Sequence, residues 1–473
     1  MSVLHVSTRG ESPTLGFAEV MLAGLAGDGG LYVPDTWPRL EPQTILAFAG
    51  RPYAEVAFEV IRRFTEDSIS AADLARMARE AYGAFRHPAV APLVQYGVNT
   101  FGLELFHGPT LAFKDLAMQL VARLMDHVLA ARGEHKTVVV ATSGDTGGAA
   151  VEAFRARSHV DLVVLFPQGR ISDVQRRMIT TAAVANVHAV AIDGTFDDCQ
   201  AIVKAMFNHH AFRERVALSG VNSINWARIV AQTVYYFTAA VALGAPHRKI
   251  AFTVPTGNFG DIYAGYVALQ MGLPIDRLVI ATNVNDILTR TLATGTYELR
   301  NVVPTSSPSM DIQVSSNFER LLFDAYGRDG DAITALMASL AQSRRFTLSA
   351  RALSHVRALF AADRADEEEV AATIRTVKRE TGNFVDPHTA VGLAVAEKEL
   401  RDPAVPMVVL ATAHAAKFPD AVEAACGARP ALPDWLADLN QRPEQVTVLP
   451  ADQSAVERFV LTTSRAAQEG AAA

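Results

Sequence analysis

Short, wholly apolar runs alternate with helical stretches through this chain, and that rhythm restricts it to parallel sheets covered on both faces. Thr137-Val-Val-Val-Ala141, Asp161-Leu-Val-Val-Leu-Phe166 and Val187-His-Ala-Val-Ala-Ile192 read as strands. Lys249-Ile-Ala-Phe-Thr-Val254, Arg277-Leu-Val-Ile-Ala281 and Met407-Val-Val-Leu-Ala411 read the same way. A strand with one wet face would alternate apolar and polar residues, and these do not. Helical spacing fills the gaps. A helix starts near Gly147, and Asp197 opens another with Cys199, Ile202 and Met206 on one face. A third runs from Asp261 to Met271, and Val370, Ile374 and Val377 form a stripe closed by Gly382. Ahead of the first strand, residues 1–95 read as helical with loops, with Ser70 an N-cap. The expected class is α/β. The expected organisation is an N-terminal helical region (1–95), a smaller βαβ unit (96–225) and a larger α/β unit (226–473), with a fraying tail at Glu469–Ala473.

Composition removes several kinds of function. With 473 residues, 50% hydrophobic and 20% charged, the chain is long and apolar enough for a large core and is not disordered. A net charge of −7 without a basic patch argues against a nucleic-acid partner. Cys199 and Cys426 are far apart, with no C-x-x-C, which excludes a zinc ribbon or redox dithiol and reads as reduced thiols in the cytoplasm. His5, Arg9, Glu11 and Glu19 interrupt any signal-peptide core. The uncharged stretch Ile229–His247 contains Gln232, Thr233 and Thr238 and ends in Gly-Ala-Pro-His, so it reads as a buried helix and not a membrane span.

Three strand-to-helix turns carry the chemistry: Thr142-Ser-Gly-Asp-Thr-Gly-Gly148, Thr256-Gly-Asn-Phe-Gly-Asp261 and Thr412-Ala-His-Ala-Ala-Lys-Phe418. Glycines let backbone amides approach an anion, and the following helix N-terminus favours negative charge. Asp261 reads as an N-cap, since its charge would repel phosphate. No Gly-Lys pair and no G-x-G-x-x-G occurs, which argues against Walker-type and dinucleotide sites. Of the seven lysines, five sit among polar neighbours, while Lys114 and Lys417 do not. Lys114 follows Leu111, Ala112 and Phe113, and a desolvated lysine is a usable amine nucleophile. An amine nucleophile beside a phosphate-binding turn describes pyridoxal phosphate, an aldehyde and a phosphate in one molecule. Thr412 is placed to meet its ring nitrogen; Ser143, Asp145 or Asn225 could meet its ring hydroxyl.

His107-Gly-Pro-Thr-Leu-Ala-Phe-Lys-Asp115, Ser143-Gly-Asp-Thr-Gly147, Gly257-Asn-Phe-Gly-Asp261 and Thr412–Phe418 resemble the threonine synthases of bacteria and fungi. Ser7-Thr-Arg-Gly10, Asp193-Gly-Thr-Phe-Asp197, Asn222-Ser-Ile-Asn225 and Ala281-Thr-Asn-Val-Asn-Asp286 extend the likeness, in order, over nearly the whole chain. The resemblance implies the fold-type II, tryptophan-synthase-β-like architecture. It implies that Lys114 carries the cofactor covalently, that Gly257, Asn258, Phe259 and Gly260 hold its phosphate, and that Thr412 meets the ring nitrogen. One position departs from the family pattern, Ala415 standing where Pro is usual; Asp145 also stands where several relatives carry Asn. The implied reaction turns O-phospho-L-homoserine and water into L-threonine and phosphate, in a monomer or homodimer. Arg9, Ser143, Thr146, Asn225 and Arg228 are candidates for substrate binding. His107 and His414 flank the motifs with open roles, and His209-His210 lacks metal-ligand spacing. Rival readings are a serine/threonine dehydratase or phospholyase, a non-catalytic phosphometabolite binder and a nicotinamide-dependent dehydrogenase.

Overall fold

The computed structural model describes residues 3–66 and 68–472. Two mainly parallel sheets form its frame. The larger has six strands in the order Phe360–Arg364, Ile275–Thr282, Ile250–Pro255, Met407–Ala411, Thr100–Glu104 and Leu93–Gln95. Only the last pairing is antiparallel. The smaller has five strands, all parallel, in the order Thr447–Pro450, Val187–Asp193, Val160–Pro167, Lys136–Ala141 and Leu218–Ser219. Every residue of Val160–Pro167, Ile250–Pro255 and Met407–Ala411 is buried, as a strand covered on both faces requires.

The sheets do not divide the chain at 95 and 225. Thr100–Glu104, expected to open the smaller unit, pairs with Met407–Ala411 in the larger sheet. Thr447–Pro450, expected in the larger unit, pairs with Val187–Asp193 in the smaller one. The helices Gln453–Thr463 and Arg465–Ala472 follow it there, and Val456, Val460 and Ala467 join the same buried cluster as Val139, Val163, Cys199 and Met206. Thr137 and Ser464 share a buried hydroxyl–hydroxyl hydrogen bond of 2.7 Å, and Arg465 pairs with Asp161 at 2.7 Å. Hydrophobic period reveals an element's type; it carries no information about a parallel partner hundreds of residues away. The expected tail is likewise helical to Ala472, and Ala473 lies outside the described residues.

Other expectations hold. Ser70 caps Ala71–Tyr82, accepting from the Asp73 amide at 3.1 Å. Trp226–Ala242 is a buried helix, and among the described residues no helix is long and apolar enough to cross a membrane. Glu367–Thr381 buries Val370, Ile374 and Val377 and ends at Gly382 with φ 75°. The N-terminal region also holds a short antiparallel pair, His5–Ser7 with Tyr32–Pro34. Arg320 fastens that pair by donating to Tyr32 O at 3.0 Å and to Ile224 O at 2.6 Å.

Val460 is fully buried where the C-terminal segment meets the smaller sheet. Val460→Ala is expected to lower stability by about 2 kcal/mol, near the low end of aliphatic truncations in a core. Urea unfolding measures this, and an unchanged midpoint would show that the C-terminal helices lend that sheet no support.

Candidate active site

The three turns named from the sequence converge on one cavity of about 230 Å³, lined also by Lys114, Arg228, Pro308–Ile312 and His388. Lys114 opens the helix Lys114–Arg132. The segment before it turns sharply, with Leu111 at φ 59°, and is tied to the end of strand Met407–Ala411. Phe113 N donates to Thr412 O at 2.9 Å, and His414 N to Leu111 O at 3.0 Å. Lys114 Nζ lies 3.5 Å from Asp145 Oδ2 and 4.8 Å from the centre of the Phe113 ring. Burial lowers its pKa, Asp145 acts against that, and Lys417 and Arg228 reinforce it. The apolar flank and the burial act on the amine in the same direction.

Asp145 opens the helix Asp145–Phe154. Its Oδ1 accepts from Lys417 Nζ at 2.7 Å and from Gln175 Nε2 at 3.0 Å. Burial alone would raise its pKa, but Lys417 and Lys114 outweigh it and hold the carboxyl well below the ordinary carboxylate range. The turn ahead of it is pinned by Thr142 Oγ1, which accepts from the Gly144 and Gly147 amides, each at 2.9 Å. Ser143 and Thr146 line the cavity from this turn.

Gly257–Gly260 forms the second wall. Gly257 is required by close approach: a Cβ there would sit 2.6 Å from Ser309 O. Ser315 Oγ donates to Gly257 O at 2.6 Å, and Asn317 N to Asn258 O at 3.1 Å, so the loop is held from behind. Phe259 takes φ 63° and occupies the N-cap position. This corrects the expectation for Asp261, which sits inside the first helical turn. Tyr235 donates its hydroxyl to Asp261 Oδ1, and Tyr236 donates to Asp261 O at 2.9 Å. Burial pushes the Asp261 carboxyl up to about 7, which weakens the repulsion it would exert on an anion.

Arg228 is buried in the cavity wall. Its Nη1 donates to Val221 O at 3.2 Å, while Nε has no partner among the described residues. A buried donor without a partner is costly, and an anionic ligand would satisfy it. Thr412 also lines the cavity. A buried amine and a glycine cradle that excludes a Cβ together fit an aldehyde that carries a phosphate, and the unpartnered guanidinium nitrogen is available to a further anion.

Two candidates lie elsewhere. Arg9 pairs with Glu319 through Nε and Nη2, both at 3.1 Å, and borders a separate cavity. Asn225 caps Trp226–Ala242: its Oδ1 accepts from Ala227 N at 3.0 Å and its Nδ2 donates to Met21 O at 2.9 Å and Gly220 O at 3.0 Å. These bonds engage both ends of the Asn225 amide. The histidines flanking the motifs make local contacts. His107 pairs with Glu104 at 2.7 Å, and His414 Nδ1 accepts from Ala416 N at 3.1 Å.

His388 was not anticipated. Its Nδ1 meets the fully buried Asp386 Oδ2 at 2.6 Å, and its Nε2 accepts from Ser309 N at 3.2 Å. Asp386-Pro387 is an N-cap followed by a first-turn proline, which marks a helix start and says nothing about the cavity. Pro308–Ile312 has no periodicity to reveal it.

Residues 91–412 match the family of pyridoxal-phosphate dependent enzymes, and with this geometry they place the chain in that class, in its fold-type II branch. Its ends are more specific: residues 4–82 match the threonine synthase N terminus and 389–460 the threonine synthase C-terminal family. The chain is 52% identical to threonine synthase of Pseudomonas aeruginosa, over 96% of this chain and 97% of that one. It superposes on pyridoxal-phosphate-bound threonine synthase from Brucella melitensis with TM-score 0.95 and 60% identity, covering 98% of this chain and 100% of the other. For yeast threonine synthase the values are 0.91 and 38%, over 97% and 98%. The chain belongs to the threonine synthase family.

Gly257→Ala is expected to weaken pyridoxal phosphate binding at least about tenfold, because the new methyl group must displace the Ser309 carbonyl; a cofactor titration reads it. Asp261 makes a pH prediction. Between its ordinary value of 3.8 and about 7, the unfolded chain has released this proton and the folded chain keeps it. The unfolded state then binds fewer protons, so stability falls as pH rises through that window. Asp261→Asn should remove this share of the slope in urea midpoints from about pH 4 to about pH 7.

Proposed function

We propose that this enzyme converts O-phospho-L-homoserine and water into L-threonine and phosphate, the last step of threonine synthesis, with Lys114 as the cofactor-carrying and proton-moving residue. One observation carries the substrate reading. The cavity is lined by the Gly257–Gly260 loop and, from other elements, by Ser143, Thr146 and Arg228, two groups of residues suited to binding anions. The cofactor's phosphate needs one set. The other remains for a phosphate on the substrate, which a serine or threonine dehydratase would have no use for.

When bound, pyridoxal phosphate supplies the electron sink that makes a carbanion at the substrate accessible. Lys114 Nζ would hold its aldehyde carbon and, as a free amine, take the proton from substrate Cα. Thr412 and Asp145 line the same cavity as Lys114. The Thr412 hydroxyl would hold the ring nitrogen without a charge of its own, which would moderate electron withdrawal and restrain side reactions, and Asp145 would serve the ring hydroxyl. Arg228, Ser143 and Thr146 hold the substrate phosphate while the bond from Cγ to oxygen breaks. Loss of a proton from Cβ accompanies departure of the phosphate, and protonation at Cγ, addition of the hydroxyl of water at Cβ and return of a proton to Cα then complete the conversion. The enzyme works in the cytoplasm as a monomer or homodimer, in keeping with its two free cysteines.

The visible spectrum of the purified protein, followed together with phosphate release, tests this reading. A yellow protein that forms threonine and phosphate in equal amounts supports it, and Lys114→Ala should lose about 10³-fold or more in kcat. Arg228→Ala should raise KM for phosphohomoserine roughly 10–100-fold with a smaller effect on kcat, as expected for a lost charge-assisted contact. A yellow protein that deaminates threonine and ignores phosphohomoserine overturns the substrate assignment.

A further inference from the structure

Two lysines are buried, and one carboxylate faces both. Lys417 lies in the short turn Ala415–Lys417 after strand Met407–Ala411 and is fully enclosed. Its Nζ donates to Thr110 O at 2.8 Å and to Asp145 Oδ1 at 2.7 Å. Lys114 Nζ stands farther off, 3.5 Å from Oδ2 of the same carboxylate. The first contact is a charge-assisted hydrogen bond, and the second is at the outer limit of one.

A buried carboxylate facing a single lysine would pair with it and hold it as ammonium, useless as a nucleophile. This chain has Asp145 and so needs a second cation. We propose that Lys417 is a positioning residue for Lys114: it takes up the Asp145 carboxylate, so that Lys114 sits beside that group without being claimed by it and remains free to act as nucleophile and base. Lys417 does not exchange roles with Lys114, because the Thr110 carbonyl holds it against Oδ1 while Lys114 faces Oδ2. Other charged or titratable groups face the pair from neighbouring elements: Arg228 and Asp261 act on Lys114, and Asp115 and His414 feel Lys417. Burial sets the low pKa of Lys114, and Lys417 and Arg228 push the same way. The inference rests on the reading that Lys114 carries the cofactor.

The test uses the full-length chain freed of cofactor, with Lys114 labelled by acetic anhydride across a pH series and its peptide quantified by mass spectrometry. Lys417→Met should raise the pH midpoint of Lys114 labelling by about one unit, which slows labelling about tenfold at pH values below it. Lys417→Arg should keep the wild-type midpoint. The double variant Lys417→Met with Asp145→Asn should return the midpoint to the wild-type value or below, and Asp145→Asn alone should lower it. A wild-type midpoint in Lys417→Met, or a double variant that labels like the single one, overturns the proposal. If Lys417→Met does not fold, Asp145→Asn decides, since it leaves no unpaired buried carboxylate; a midpoint unchanged or raised there is fatal. No cofactor enters this measurement. A chain that never turns yellow with pyridoxal phosphate would refute the catalytic reading and leave the labelling result standing.

Discussion

Everything in the cavity is placed relative to one backbone seam. The end of strand Met407–Ala411 runs into Thr412 and His414, and these exchange main-chain hydrogen bonds with Phe113 and Leu111. The seam joins the residue that starts the lysine-bearing helix to the central part of the larger sheet. Because the bonds are backbone to backbone, they fix the origin of Lys114 whatever the side chains do. The third turn thus has two roles: its carbonyl anchors the lysine segment, while Thr412 lines the cavity and Lys417 reaches Asp145. Ala415, in place of the usual proline, leaves this arrangement intact, because His414 accepts the Ala416 amide and closes the turn with a side-chain bond.

Charge balance is the second constraint. Lys114, Lys417, Arg228, Asp145 and Asp261 are all buried around one small volume. Ions removed from water at this density are tolerated only when each has a partner or a way to become neutral. Asp145 and Lys417 are paired. Asp261 approaches neutrality because burial raises its pKa to about 7, against the opposing hydrogen bond from Tyr235. Lys114 moves towards neutrality by releasing its proton, and Arg228 keeps an unpartnered nitrogen that an anion can satisfy. Burial thus pushes Lys114 and Asp261 towards the forms useful beside a phosphate-bearing cofactor.

The sequence revealed features that depend on local chemistry. The buried strands Val160–Pro167 and Met407–Ala411 are continuous apolar runs, and the three turns carry their glycines and hydroxyls in plain view. Lys114 stood out because Leu111, Ala112 and Phe113 are unusual company for a lysine. What was not legible depends on distant partners. Asn225 reads as a polar residue near a motif, and only the fold shows it holding Met21 and Gly220. Arg9 reads as a free cation until Glu319 appears beside it. Lys417 was visible as atypical, yet its carboxylate partner lies 272 positions earlier in the chain, at Asp145.

The interleaving of the two sheets bears on how the molecule is made. Thr100–Glu104 is synthesised long before its neighbour Met407–Ala411, and the smaller sheet lacks its outer strand until Thr447–Pro450 leaves the ribosome. At roughly 5–20 residues per second, the first of these strands waits on the order of tens of seconds. The nascent chain must therefore carry unpaired strand edges until those later strands are made. Each sheet is completed only when its late strand arrives, Met407–Ala411 in the larger and Thr447–Pro450 in the smaller.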